Sequence, residues 1–129
     1  MAEFLTTGLI ENGVDAQSYD VLYNELGQLK EILDESDGFM LGSPTINRDA
    51  LKPIWDLLSA TDAITNKGKP CFAFGSYGWS GEAVPMLIER LKSLKLNVIG
   101  EGYKVCFMPN ELDYVNLKQL AAEFAGQLK

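Results

Sequence analysis

The chain contains no histidine and only two cysteines, Cys71 and Cys106. Histidine is the commonest metal ligand and the usual base at neutral pH. Without it, neither a Ser-His-Asp or Cys-His catalytic machine nor a His-rich zinc or di-iron site can be assembled from this chain alone. The two cysteines lie far apart among apolar neighbours, so they make neither a CxxC pair nor a zinc cluster. Both are expected to be buried structural thiols. Basic residues are also few: 11 Lys and Arg stand against 18 Asp and Glu, giving a net charge of −7 and a pI near 4.5. That balance disfavours nucleic acid and anionic membrane surfaces, both of which attract clustered Lys and Arg, and it suits basic partners. No apolar run approaches the roughly 20 residues of a membrane span. The opening MAEFLTTGLIENG has an acidic residue at position 3 and no basic cluster, so it does not read as a secretory or transit peptide, and a cytoplasmic protein is expected.

What remains is the composition of one globular α/β domain over residues 1–129, with 47% hydrophobic and 22% charged residues. Phe4, Leu5, Leu9 and Ile10 fall at helical spacing within residues 2–11, and Asn12-Gly13 supplies the closing turn. Val14 to Tyr19 reads as a short strand. Leu22, Leu26, Leu29 and Leu33 mark a helical stripe over residues 22–33, and GFMLG at 38–42 reads as a buried strand. A helix over about 49–65 carries Leu51, Ile54, Trp55, Leu57 and Leu58, followed by a strand at Cys71 to Phe74. Pro85 has no N–H to donate, so the next helix should begin near Glu82 and run to about Lys95, turning Leu87, Ile88, Leu91 and Leu94 inward. A strand over 97–108 is interrupted at GEGY. The last helix, 111–128, offers Leu112, Val115, Leu120 and Phe124 to the core. Strands separated by such helices need crossover connections, which give a parallel sheet covered on both faces: a three-layer sandwich.

In such sheets ligands sit beyond the carboxyl ends of the strands. Two loops stand there. The first is Gly42-Ser43-Pro44-Thr45-Ile46-Asn47 and the second is Gly75-Ser76-Tyr77-Gly78-Trp79-Ser80-Gly81. Neither carries an acid or a base. Hydroxyls, one amide side chain and many N–H groups suit hydrogen bonding to a flat polar heterocycle better than hydrolysis or proton transfer. Glycine lets the backbone approach closely, and a Trp or Tyr offers a broad stacking face. The same residue types also make ordinary turns: the SPT tripeptide fits a strand-to-helix turn capped by Asn47 or Asp49, and Trp79 fits a residue folded back onto the core.

GSPTIN, followed some thirty residues later by FGSYGWSGEA, resembles the flavodoxin-like domain of flavodiiron proteins, the A-type flavoproteins. The order of elements agrees to the final KVCFMPNELDYVNLKQLAAEFAGQLK. The resemblance implies a noncovalent FMN, with Ser43, Pro44, Thr45 and Asn47 along one side of the isoalloxazine. Gly75, Ser76, Tyr77, Gly78, Trp79, Ser80 and Gly81 would frame its other side and edge. It further implies electron transfer, from an electron-donor protein or reductase domain, to a di-iron centre on a separate metallo-β-lactamase-like domain that reduces oxygen or nitric oxide. Acidic surroundings would push the flavin potential downward.

Relative to that family the domain is shortened at its N-terminal side. Residue 1 already lies inside the first helix, and the family's first strand and phosphate loop have no counterpart. The missing strand is central, between those expected at Val14–Tyr19 and 38–42. Its loss exposes two interior edges. The flanking strands could close up into a four-stranded sheet, another copy could swap in a strand as a homo-oligomer, or more sequence could precede the chain. A flavodoxin-like module that has lost tight flavin binding and serves as a structural or interaction unit is the competing function. A response-regulator receiver would need an Asp where Ser43 stands, and nothing suggests the nicotinamide site of a quinone reductase.

Overall fold

The computed structural model describes residues 1–128. Five helices surround four strands: α1 (Ala2–Glu11), α2 (Leu26–Glu35), β1 (Phe39–Gly42), α3 (Lys52–Ala60), β2 (Pro70–Tyr77), α4 (Ala83–Ser93), β3 (Asn97–Val98), β4 (Tyr103–Cys106) and α5 (Glu111–Gln127). All ladders are parallel. β1 lies beside β2 from Phe39 against Cys71 to Gly42 against Phe74. β3 and β4 share the other edge of β2, at Pro70–Cys71 and Phe74–Tyr77 respectively. They are the two halves of the interrupted strand, parted by Gly100 and Gly102, both at positive φ. The sheet is therefore only three positions wide.

β2 shows why it occupies the centre. Its alternate residues feed two separate cores, as the two-residue period of a strand requires. Cys71 and Ala73 join Leu29, Leu33, Ile54, Leu57, Leu58, Leu87 and Leu91 under α2, α3 and α4. Phe72 and Phe74 join Leu5, Leu9, Leu117, Ala121 and Phe124 under α1 and α5. These are the expected three layers. α1 meets α5 at Gly8, where an added Cβ would lie 2.7 Å from the Ala121 Cβ, so the absent side chain sets how closely the helices cross. At the amino end of the sheet, the Lys69 ammonium donates to the Leu33 and Asp34 carbonyls at 2.7 and 3.1 Å, closing the last turn of α2 with positive charge. Buried Asn66 donates to the Asp34 carboxylate at 2.7 Å.

Several expectations need correction. Val14–Tyr19 forms no strand: a strand needs a ladder partner, and none stands beside this segment. The flanking strands have not closed up. A cavity of about 950 Å³ separates the 14–22 segment from β1, floored by Leu5 and Leu9 on one side and Leu29, Ile54 and Leu57 on the other. Leu22 and Leu26 are exposed because the helix begins only at Leu26 and its inner face is Leu29 and Leu33. On α5, Leu112 and Val115 point outward while Leu117 and Ala121 fill the core. Cys71 is fully buried, and burial pushes its thiol up to about 12. Cys106 is exposed, because it lies on the outer face of β4.

Candidate functional site

The two candidate loops lie side by side at the carboxyl ends of β1 and β2, and they hold each other. The second begins later than expected: Gly75, Ser76 and Tyr77 continue β2. This extra length lets the first loop keep pairing past the end of β1. The Ser43 N–H donates to the Phe74 carbonyl at 3.2 Å, and the Thr45 N–H donates to the Ser76 carbonyl at 2.9 Å. Glycine is obligatory at position 75, since any Cβ there would collide with the Ser43 carbonyl oxygen and press on Val84.

Hydroxyls expected to face a ligand turn out to be partly engaged in the scaffold. Ser43 is buried; its Oγ accepts from the Leu51 N–H at 3.0 Å and donates to the Pro44 carbonyl at 2.8 Å. It thereby ties the residue before α3 to the first loop, while the start of α3, expected to be capped by Asn47 or Asp49, has no side-chain cap hydrogen bond. Asp49 instead accepts from the Trp55 indole at 2.8 Å and from the Ala50 N–H. Thr45 Oγ1 accepts from the Ala83 N–H at 3.1 Å, the first residue of α4. Asn47 and Arg48 are exposed at the tip of a turn closed by paired Ile46–Asp49 hydrogen bonds, both with positive φ.

The second loop is different: its main chain is unspent. Among the described residues, the N–H groups of Gly78, Trp79, Ser80 and Gly81 donate to no protein acceptor. Trp79 is 100% exposed, so it does not fold back onto the core. An indole held wholly in water has forgone the burial it would otherwise gain. Tyr77 is half-buried with the Lys104 ammonium 5.8 Å from its ring centroid, a cation–π distance. Gly81 sits between Tyr77 and the Lys104 side chain, with no room for a Cβ. Glu82 opens α4, where Ser80, Arg48 and Lys104 hold its carboxyl below the usual range. Its Oε2 is buried without a partner.

Lys104, Arg48, Glu82 and Phe107, none of them marked as site residues by their place in the sequence, also stand beside this loop. Phe107 is 72% exposed. It takes a positive φ of 60°, and its ring lies 3.3 Å from where a Gly78 Cβ would be. The signal for it was available: an aromatic directly after the strand paired with β2 must end up beside the β2 loop.

A row of free donors, an exposed indole and a half-buried phenol, with positive charge behind them, fits the edge and face of a flat, hydrogen-bond-accepting ring. At the amino end of α1, Met1, Ala2, Glu3 and Thr6 line the cavity beside β1. No group of acidic or sulfur side chains able to hold a metal occurs among the described residues, and no helix is long and apolar enough to cross a membrane.

The flavodoxin family profile matches residues 1–117. A flavo-diiron protein of Clostridium acetobutylicum is 42% identical over 130 residues, covering 99% of this chain and 32% of its own length. A nitric oxide reductase of Moorella thermoacetica is 35% identical over the same span, with 99% and 32% coverage. Among solved structures, the rubredoxin oxygen:oxidoreductase of Desulfovibrio gigas superposes with a TM-score of 0.93 at 27% identity, covering 98% of this chain and 32% of that one. The chain thus spans about a third of the length of these relatives.

Proposed function

Because the chain belongs to the flavodoxin family, and matches the flavodoxin-like part of flavodiiron proteins, we propose that it is an electron-transfer domain that holds FMN by its ring. The observation that carries this is the pairing of unspent N–H groups from Gly78 to Gly81 with the fully exposed Trp79. The flavin, when bound, supplies the redox chemistry. The chain's own residues do the rest. Thr45 and Ser43 fix the first loop against β2, and the N–H row donates to the acceptor edge of the ring. Tyr77 and Trp79 offer stacking faces, and Asn47 reaches from the opposite side. Ser43 contributes through the scaffold, since its hydroxyl is already engaged. The reading extends to a relay, in which a donor protein or reductase domain passes electrons through this domain to a di-iron centre on a metallo-β-lactamase-like domain that reduces oxygen or nitric oxide.

Titration of FMN against the protein tests this, followed by quenching of flavin fluorescence. The expected outcome is quenching at micromolar concentration, weakened about fivefold by Trp79→Ala, which loses a stacking contact of roughly 1 kcal/mol. Absence of quenching by the wild type would instead favour a module that keeps the fold and serves as an interaction unit.

A further inference from the structure

Two cations, Arg48 and Lys104, stand beside the candidate loops, and Lys104 lies against the second one. We infer, resting on the function proposed above, that the Lys104 ammonium biases the ring site toward the reduced, anionic form of a flavin.

The placement follows from the strand. Lys104 lies opposite Gly75 in the parallel ladder. Cys71, Ala73 and Gly75 turn toward α4, where a Cβ on Gly75 would press on Val84, and by the two-residue period of a strand Tyr77 and Lys104 take the same face. The contacts agree. A Cβ on Gly81 would lie 2.9 Å from the Lys104 Cδ, 3.4 Å from its Nζ and 3.1 Å from a Tyr77 ring carbon, and the ammonium stands 5.8 Å from the Tyr77 ring centroid. One lysine side chain thus lies against both ends of the second loop, and its charge sits at the Gly81 end of the row of free N–H groups.

That charge is held by no carboxylate. Lys30, Lys52 and Lys118 each form an ion pair, whereas among the described residues the Lys104 ammonium forms neither an ion pair nor a hydrogen bond. Around it, Glu82 feels both Arg48 and Lys104, and Glu89, Lys92 and Glu101 share a shallow cleft with Lys104 along α4. These acids and bases balance, in a molecule whose net charge is −7, so removing Lys104 tips its surroundings to the sign of the rest. A flavin ring that takes up two electrons and one proton gains a negative charge, and N–H groups donating to its edge then make charge-assisted hydrogen bonds. A neighbouring cation strengthens that form and leaves the neutral oxidised ring nearly untouched. Because Lys104 is exposed, water and salt hold the effect to a modest factor.

The test titrates the whole chain with FMN, either oxidised or reduced beforehand with dithionite, in the absence of oxygen, and follows the amide shifts of residues 77–81 by NMR. The phosphate is common to both forms, so the ratio of the two dissociation constants reports on the ring. Lys104→Met keeps an unbranched apolar stem against Tyr77 and Gly81 and removes the charge. It should shift the ratio at least about threefold against the reduced form, with urea unfolding unchanged, and Lys104→Arg should keep the wild-type ratio. An unchanged ratio in Lys104→Met, or an equal loss of both forms, overturns the inference and leaves the flavin reading standing; the second result would make Lys104 a support of the loop alone. Binding of neither form by the wild type overturns the flavin reading, and this inference with it.

Discussion

The two edges of β1 belong to the same four residues and have opposite fates. Toward β2, every residue from Phe39 to Gly42 is in register, and the pairing continues into the next loop through Ser43 and Thr45. On the other side lies open space. Identical local sequence therefore does not decide whether an edge is closed; the presence of a neighbour does. Three perturbations sharpen the contrast. The largest effect belongs to the bonded side: Gly75→Val puts methyl groups into the Ser43 carbonyl, where backbone cannot give way. It should cost about 3 kcal/mol or more in urea unfolding, with FMN quenching lost in parallel. Ser43→Ala, on the same side, leaves the Leu51 N–H without its acceptor. A loss of about 1–2 kcal/mol in the same assay is expected.

The smallest effect is at the amino end. The hydrogen bond from Asn66, then that from Lys30, hold the Asp34 carboxyl below the ordinary range. A depressed folded value means that the unfolded chain binds the proton more readily. The contribution is therefore complete above the ordinary carboxylate range, near pH 4, and fades as the pH falls below it through the folded value. Asp34→Asn should flatten this acid limb of stability between about pH 5 and 2 while leaving flavin quenching unchanged.

How much of this was legible in the sequence follows the same division. β2 was readable because Cys71 to Phe74 are all apolar, the signature of a strand buried on both faces. α4 was placed within two residues because Pro85 constrains its first turn. The two loops stood out by composition, but the engagement of the Ser43 hydroxyl did not: one that accepts from an N–H eight residues away looks the same in sequence as one that is free. Val14–Tyr19 was misjudged since strand identity belongs to a pair, and among the described residues this segment is in no ladder. Cys106 was misjudged because apolar neighbours along a strand say nothing about which face each residue takes when the strand is at an edge. The same holds for Leu112 and Val115: helical spacing locates a stripe, but packing against α1 selects Leu117 and Ala121 instead.

The Gly8–Ala121 crossing ties the two ends of the chain together. α1 packs on α5 and the two helices jointly cover Phe72 and Phe74 of β2. A side chain at position 8 would meet the Ala121 Cβ and lift α1 from that shared face, so opening one helix crossing would also uncover the middle strand of the sheet.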